Sequence, residues 1–223
     1  MFFRILHLLY PPKCVLCNAL LAKDETDLCH ACREDAPEFK KSNLRFSYVA
    51  GWTGVWYYKD KVRGSIHRFK FRKRRHYAKA YGRALAMKLK NDESYSFDIL
   101  TYVPVAPLRQ MGRGYDQVEL ICDALAEELG IEPVKTLRKI RNTPPQSDIK
   151  DPARRRANVL GAYCCRHPQD VKGKRILLLD DVITTGATVS ECARTLLIAG
   201  AKNIYCAAVA VASHDKNSTK ISR

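Results

Sequence analysis

The sequence has few acidic residues for its many basic ones, and it lacks the features of membrane and secreted proteins. Asp and Glu number 23 against 39 Lys and Arg, which leaves a formal net charge of +16. The apolar start, residues 1–10, is too short to span a bilayer and contains Arg4 and His7. No small-residue cleavage site follows it, so a secretory signal is not indicated. We therefore expect a cytoplasmic protein without a membrane span.

The phosphate-binding loop of P-loop NTPases is also missing. The pattern G-x-x-x-x-G-K-[ST] does not occur. The nearest segment, Gly173-Lys174-Arg175, has Pro168 where the first glycine belongs. A strand that ends in acids is present, as in a Walker B motif, but without the loop an NTPase is excluded.

The cysteines do not form a disulfide pattern, because their number, nine, is odd. Four of them have the spacing Cys14-x2-Cys17-x11-Cys29-x2-Cys32. Two C-x-x-C knuckles can supply four thiolates to a tetrahedral Zn²⁺, and such a short segment needs the metal in order to fold. We predict a structural zinc site, in which His30 is an alternative ligand. The other five are interpreted as small buried fillers: Cys122, Cys164, Cys165, Cys192 and Cys206.

Residues 176–188 are the most informative stretch. Residues 176–179 are apolar, as in a strand buried on both faces of a parallel sheet. Asp180 and Asp181 follow, where carboxylates can hold sugar hydroxyls or Mg²⁺. Residues 184–188 then combine hydroxyls with backbone N–H groups at the start of a helix, which is typical of a phosphate site. Acids for a ribose beside a phosphate site predict a ribose-phosphate ligand.

Hydrophobic periodicity predicts an α/β fold, with a parallel sheet flanked by helices behind a small zinc module. We place an apolar leader and zinc finger module at residues 1–40 and an α/β domain at 41–223. Within that domain we expect a hairpin at 46–58, with strands at 47–52 and 55–58, and a basic helical region at 59–90. The predicted helices are 61–71, 76–90, 117–130 and 187–199, and the further strands are 97–105, 137–140, 175–179 and 203–211. Residues 107–115 are predicted to be a mobile segment, 141–156 a loop or short helix, and the tail from 213 to be frayed.

Most of the positive charge lies in residues 59–90, which contain thirteen Lys or Arg and one acid, Asp60. A solvated helix face is one explanation, but this excess of one sign favours an anionic partner. Single-stranded DNA fits, because basic residues follow its backbone and aromatic residues stack on its bases. The predicted nucleic-acid contacts are Lys70, Arg72, Lys73, Arg74 and Arg75. The interleaved aromatics can stack on bases or pack in the core: Phe69, Phe71, Tyr77 and Tyr81.

Residues 176–188 resemble the phosphoribosyl-pyrophosphate (PRPP) motif of type I phosphoribosyltransferases. The whole chain resembles the ComF family, phosphoribosyltransferase-like proteins associated with natural competence, transformation and DNA uptake. The matching segments are Pro11 to Cys17, Val103-Pro104-Val105, Arg113-Gly114-Tyr115-Asp116-Gln117, Thr143-Pro144-Pro145-Gln146 and Arg155 to Tyr163. Tyr115 and Asp116 are conservative departures from the family's Phe and Asn.

The resemblance implies roles for these residues. Asp180 and Asp181 would hold the ribose 2′ and 3′ hydroxyls, and Mg²⁺ would accompany PRPP. The 5-phosphate would lie on Thr184, Thr185, Gly186, Ala187 and Thr188. The turn at Val105, Ala106 and Pro107 would be the pyrophosphate loop, while Arg109 and Arg113 would lie on a flexible loop that closes over the leaving group. Gln117 is expected to begin a helix rather than to touch the ligand.

Three functions remain open at this point. The first is a PRPP-binding protein of DNA uptake that contacts single-stranded DNA. The second is a metabolic phosphoribosyltransferase, whose acceptor no residue set identifies. The third is a non-catalytic PRPP-sensing scaffold for a DNA-uptake helicase.

Overall fold

The computed structural model describes residues 11–40, 45–92, 94–144, 149 and 151–212, except for the side chain of Arg109. The strands in this part of the chain are β1 (Gly51–Tyr57), β2 (Ile99–Tyr102), β3 (Leu137–Lys139), β4 (Tyr163–Cys165), β5 (Arg175–Ile183) and β6 (Asn203–Val211). The helices are α1 (His30–Asp35), α2 (Asp60–Phe71), α3 (Tyr77–Lys90), α4 (Pro107–Arg113), α5 (Gln117–Leu129), α6 (Pro152–Val159), α7 (Pro168–Val171) and α8 (Ala187–Ile198). The expected leader and frayed tail lie outside the described residues.

Four strands form a parallel sheet in the order β1-β6-β5-β2. β3 and β4 form a separate antiparallel pair. The residues of β5 alternate between the two faces of the sheet, as the period of a strand requires. Leu177 and Leu179 face a core shared with α2, α3 and α5, whereas Ile176 and Leu178 face a core shared with α8. Helices therefore cover both faces, which confirms the predicted fold class.

The predicted hairpin at 46–58 is wrong. β1 is one continuous strand that pairs in parallel with β6. Gly54 suggested a break, but it lies within β1 at a point where the side chain of Val211 in β6 comes close. A Cβ at this position would be 2.4 Å from Cγ2 of Val211. The glycine therefore allows close packing and does not mark a turn.

Three other boundaries differ from the sequence prediction. β5 continues past the two acids to Ile183, because Val182 and Ile183 still pair with β6. The segment predicted as mobile contains a helix, α4, which begins at a proline and ends at Gly114. The region predicted as a loop or short helix contains α6, whose first turn is capped by Asp151. Residues 145–148 and 150 of that region are not described.

The zinc module is fixed to α2 and α3 by polar contacts. The Arg83 guanidinium forms a bidentate ion pair with Asp27, with N···O distances of 2.7 and 2.6 Å. Arg68 donates to the carbonyls of Val15 and Leu16, and the hydroxyl of Ser65 also donates to the Val15 carbonyl. Part of the positive charge of residues 59–90 therefore holds the protein together and is not available to an external partner.

The remaining cysteines are free thiols. Cys122, Cys192 and Cys206 are fully buried, in two helices and a strand as expected, whereas Cys164 and Cys165 are half-buried in β4. Among the described residues, no helix is long and apolar enough to cross a membrane.

Candidate functional site

A cleft of about 290 Å³ opens at the carboxyl end of the parallel sheet. It forms because neighbouring strands differ in length: β2 stops at Tyr102, opposite Leu179, while β5 continues for four more residues. The edge of β5 from Asp180 onward is therefore not covered by β2. Open α/β sheets bind ligands at this end of their strands.

Asp180 and Asp181 both line the cleft, as the sequence predicted. Asp181 is 8% exposed and forms an ion pair with Lys70 of α2, with 2.7 Å between Nζ and Oδ2. Burial, together with the neighbouring Asp181 carboxylate, raises the pKa of Asp180 well above that of an ordinary carboxyl group. The site therefore holds two acids and one ammonium group where a sugar or a cation can reach them.

The turn after β5 also lines the cleft, through Thr184, Thr185, Gly186, Ala187 and Thr188. Gly186 precedes α8 and has a φ of 74°, in the left-handed region that favours glycine. Its Cα rests against the ring of Phe46, so a Cβ would be 2.2 Å from Phe46 Cδ1. Because residue 186 has no side chain, the turn can pack closely against Phe46. Its N–H groups then lie at the start of a three-turn helix, a position at which anions bind.

The predicted pyrophosphate loop is tied to α5 by Asp116. The carboxylate of Asp116 caps α5 by accepting from Val118 and Glu119, and its Oδ2 also accepts from the Val105 N–H at 2.9 Å. Val105 lines the cleft, whereas Ala106 is fully buried and does not. The Val105 N–H is thus already committed to a protein group.

The two predicted loop arginines lie on α4. Arg113 lines the cleft, and its guanidinium carbon is 4.9 Å from the centre of the Phe71 ring. Arg109 belongs to the same helix, where only its backbone is described. The segment expected to be a flexible loop is helical at these two residues, because Pro107 begins a helix and Gly114 ends it.

Several cleft residues were not predicted as ligand contacts. Lys70 was predicted to contact nucleic acid, but it forms an ion pair with Asp181. Lys70 lies four residues after the buried Ile66, a spacing that places both on the inward face of α2 and could have indicated this. The far wall comes from β3, β4 and α6, and no periodicity in the sequence placed these elements beside β5. Their residues in the cleft wall are Lys139, Tyr163 and Arg155.

The other four predicted nucleic-acid residues, Arg72, Lys73, Arg74 and Arg75, are exposed and directly follow Phe71, which lines the cleft. We call these four residues the basic patch. Of the two alternatives for the aromatic residues, core packing holds for Phe69, Tyr77 and Tyr81, which are at most 2% exposed. Only Phe71, at 59% exposure, is accessible to a base.

The four module cysteines meet as predicted. The sulfur atoms of Cys14, Cys17, Cys29 and Cys32 all lie within 4.8 Å of one another, a set of thiols suited to tetrahedral Zn²⁺. The ring of His30 instead contacts the Asp24 carboxylate at 3.0 Å, so His30 is not needed as a ligand. The geometry supports a structural zinc centre made of four cysteines.

A larger cavity, about 1010 Å³, lies between the zinc module, α3 and β1. Its walls include Trp52, Trp56 and Met87, and it contains none of the predicted site residues. Among the described residues, Asp180, Asp181, the turn at residues 184–188 and basic side chains together line the smaller cleft, which is therefore the candidate site.

Comparisons with known proteins agree with both parts of the structure. A phosphoribosyl transferase domain matches residues 120–222, and a double zinc ribbon domain matches residues 5–43. Competence protein ComFC of Streptococcus pneumoniae is 26% identical over 228 residues, covering 86% of this chain and 96% of that protein. These matches support the resemblance of the chain to the ComF family. Competence protein F of Haemophilus influenzae is 24% identical, over 86% of this chain and 93% of that protein.

Other relatives of this protein match over less of their length. DNA utilization protein YhgH of Salmonella typhimurium is 32% identical over 144 residues, which cover 62% of each chain. Among solved structures, adenine phosphoribosyltransferase from Thermoanaerobacter pseudethanolicus aligns with 82% of this chain and 98% of its own, at 18% identity and a TM-score of 0.40. Glutamine PRPP amidotransferase from B. subtilis aligns with 59% of this chain and 25% of its own, at 24% identity and a TM-score of 0.39.

Proposed function

We propose that the cleft binds PRPP, and that the protein is a phosphoribosyltransferase-like component of competence and DNA uptake. One observation supports the binding of PRPP in the cleft. Asp180, Asp181 and the turn at residues 184–188 line a single cleft at the carboxyl end of β5. The relatives named for competence and DNA utilization support the second part.

In this proposal the 5-phosphate lies on the turn before α8, and the acids hold the ribose hydroxyls. Lys70 already neutralises Asp181 through a contact of 2.7 Å. A hydroxyl that approaches Asp181 therefore meets a carboxylate and an ammonium group together, so it can donate to one and accept from the other. We therefore assign Lys70 to the ligand site and no longer to the nucleic-acid surface.

If the sugar is transferred, charge stabilisation is the main requirement, since the bond between C1 and the diphosphate breaks as negative charge builds on the leaving group. Arg113 lines the cleft and can meet that charge. Asp180 and Asp181 are hard oxygen donors of the kind Mg²⁺ prefers, and Mg²⁺ bound with PRPP would neutralise part of the diphosphate charge. The structure identifies no acceptor for the sugar.

Isothermal titration of the zinc-loaded protein with PRPP and Mg²⁺ tests the binding. We expect Asp181→Asn to weaken PRPP at least about tenfold, because it removes a charged hydrogen-bond acceptor. Asp170→Asn, at an exposed position of α7, is the matched control and should bind like the wild type. Equal affinity of the two variants would show that PRPP does not use these acids.

Turnover separates the remaining functions. Consumption of PRPP with a nucleobase would make the protein a metabolic phosphoribosyltransferase. Binding of PRPP without its consumption across a broad panel of acceptors favours a non-catalytic sensor. A pull-down that recovers a DNA-uptake helicase only when PRPP is present would identify the partner of that sensor.

The proposed contact with single-stranded DNA rests on the basic patch. Arg72, Lys73, Arg74 and Arg75 are exposed and directly follow the exposed Phe71, which lines the cleft. Clustered cations attract a phosphate backbone by releasing counterions, and Phe71 offers a ring for stacking. The ring also receives the Arg113 guanidinium, so DNA and the PRPP site share a boundary.

A charge-matched pair of triple variants tests this surface. Arg72→Ala, Arg74→Ala and Arg75→Ala together should weaken single-stranded DNA binding in an electrophoretic shift and reduce its salt dependence. Replacing the exposed Lys172, Lys174 and Lys202 by Ala removes the same charge near the amino end of β5 and should have a smaller effect. Equal losses in the two triple variants would mean that net charge, and not the basic patch, binds the DNA.

A further inference from the structure

Gln117 is a fully buried polar residue in the wall of the cleft. Its side chain is 0% exposed, and the cleft is lined by Gln117 together with Val105, Val118 and Asp180. Neither Nε2 nor Oε1 has a hydrogen-bond partner among the described residues. No other buried side chain in the described part of the chain has this property.

An amide in this state is costly to the folded protein. Burying a donor and an acceptor without partners loses the hydrogen bonds that both made with water, so nearly all buried polar groups are paired. An apolar side chain of the same size would fill the space without that cost. A hydrogen-bonding group on the bound ligand explains why the wall of the cleft has an amide at this position.

The position of Gln117 indicates which end of the ligand it meets. Gln117 is the first residue of α5, directly after Asp116, whose carboxylate holds the Val105 N–H. In the segment expected to bind the leaving group, the Val105 N–H is therefore already bonded to Asp116 and is not available to the ligand. The Gln117 amide supplies a replacement donor at the same wall, next to the positive end of a 13-residue helix.

We propose that the Gln117 carboxamide binds PRPP at C1 and C2, and so discriminates PRPP from ribose phosphates that lack the diphosphate. The diphosphate on C1 offers only acceptors, while the hydroxyl on the adjacent C2 offers a donor. One carboxamide can therefore donate from Nε2 to a diphosphate oxygen and accept at Oε1 from the hydroxyl. This inference rests on the proposed PRPP-binding function. It amends the expectation that Gln117 only begins a helix.

Two ligands and two variants test the role of Gln117. Met is close in size to Gln and forms helices well, so Gln117→Met removes the amide with little change in packing. Gln169→Met, at an exposed site on α7, is the matched control. Titrations with PRPP and with ribose 5-phosphate, both with Mg²⁺, compare a charged acceptor on C1 with a neutral hydroxyl.

We expect Gln117→Met to weaken PRPP about ten- to a hundredfold and ribose 5-phosphate only about two- to tenfold, because hydrogen bonds to charged groups are stronger. Without ligand, the variant should resist urea as well as the wild type or better, since an unpaired amide has gone. Equal losses for both ligands, unchanged PRPP affinity, or a less stable ligand-free variant would overturn the role of Gln117. Failure of the wild type to bind either ligand would instead overturn the proposed function.

Discussion

Replacing Gly186 by Ala should destabilise the folded protein by about 2–5 kcal/mol. Two costs add at this position. The φ of 74° places an L-residue in the left-handed region, which costs roughly 1–2 kcal/mol. The new Cβ would lie 2.2 Å from Phe46 Cδ1, and such overpacking adds about 1–3 kcal/mol. A loss of this size is a large part of the stability of a typical domain, about 5–15 kcal/mol.

Urea unfolding of the zinc-loaded protein, followed by fluorescence and circular dichroism, measures this cost. Gly161→Ala is the matched control, because Gly161 has a φ of 66° with nothing within 4 Å of its Cβ position. It should lose only the backbone part, about 1–2 kcal/mol. In a Phe46→Ala background the cost of Gly186→Ala should fall to the same range. Equal losses for Gly186→Ala and Gly161→Ala would refute the packing of Phe46 against the turn at residues 184–188.

Three further predictions concern other parts of the molecule. Removing zinc with a chelator, or replacing Cys32 by Ser, should unfold the cysteine module, seen as loss of bound zinc and faster proteolysis of residues 11–40. Arg83→Ala should cost about 0.5–1 kcal/mol in urea unfolding, since its ion pair with Asp27 is partly screened by solvent, whereas Lys79→Ala on the exposed face of α3 should cost less. The raised pKa of Asp180 makes the stability of the protein depend on pH, because the folded state favours the protonated carboxyl group. The contribution of Asp180 to the free energy of unfolding is complete below the pKa of the unfolded state, near 4. It is lost as the pH rises through the pKa of the folded state. Asp180→Asn should therefore gain stability relative to the wild type as pH rises, and parallel pH profiles would contradict this.

The sequence predicted best the elements whose own residues determine them. α5 has an Asp cap, an apolar stripe and a terminal glycine, and its predicted and observed ranges differ by one residue. β5 is apolar on both faces and was found, although the pairing of Val182 and Ile183 with β6 extends it beyond the acids. The zinc ligands follow from spacing alone, because each C-x-x-C knuckle is a local structure.

What the sequence left open or did not predict concerns contacts between distant segments. Gly54 looks like a turn residue until Val211, more than 150 positions later, is placed beside it. Phe69, Tyr77 and Tyr81 lie among basic residues, so the sequence left base stacking and core packing open, and the packing of their helices places these rings in the core. Lys70 looks like its basic neighbours, and only the packing of α2 beside β5 shows that it pairs with Asp181.

The most direct test of the central claim is to locate a ribose phosphate on the protein by crystallography. Crystals grown with PRPP, Mg²⁺ and zinc should show the 5-phosphate on the N–H groups of residues 184–188 and the ribose hydroxyls at Asp180 and Asp181. Ligand density in the larger cavity beside Trp56, or only on the basic patch, would contradict the account.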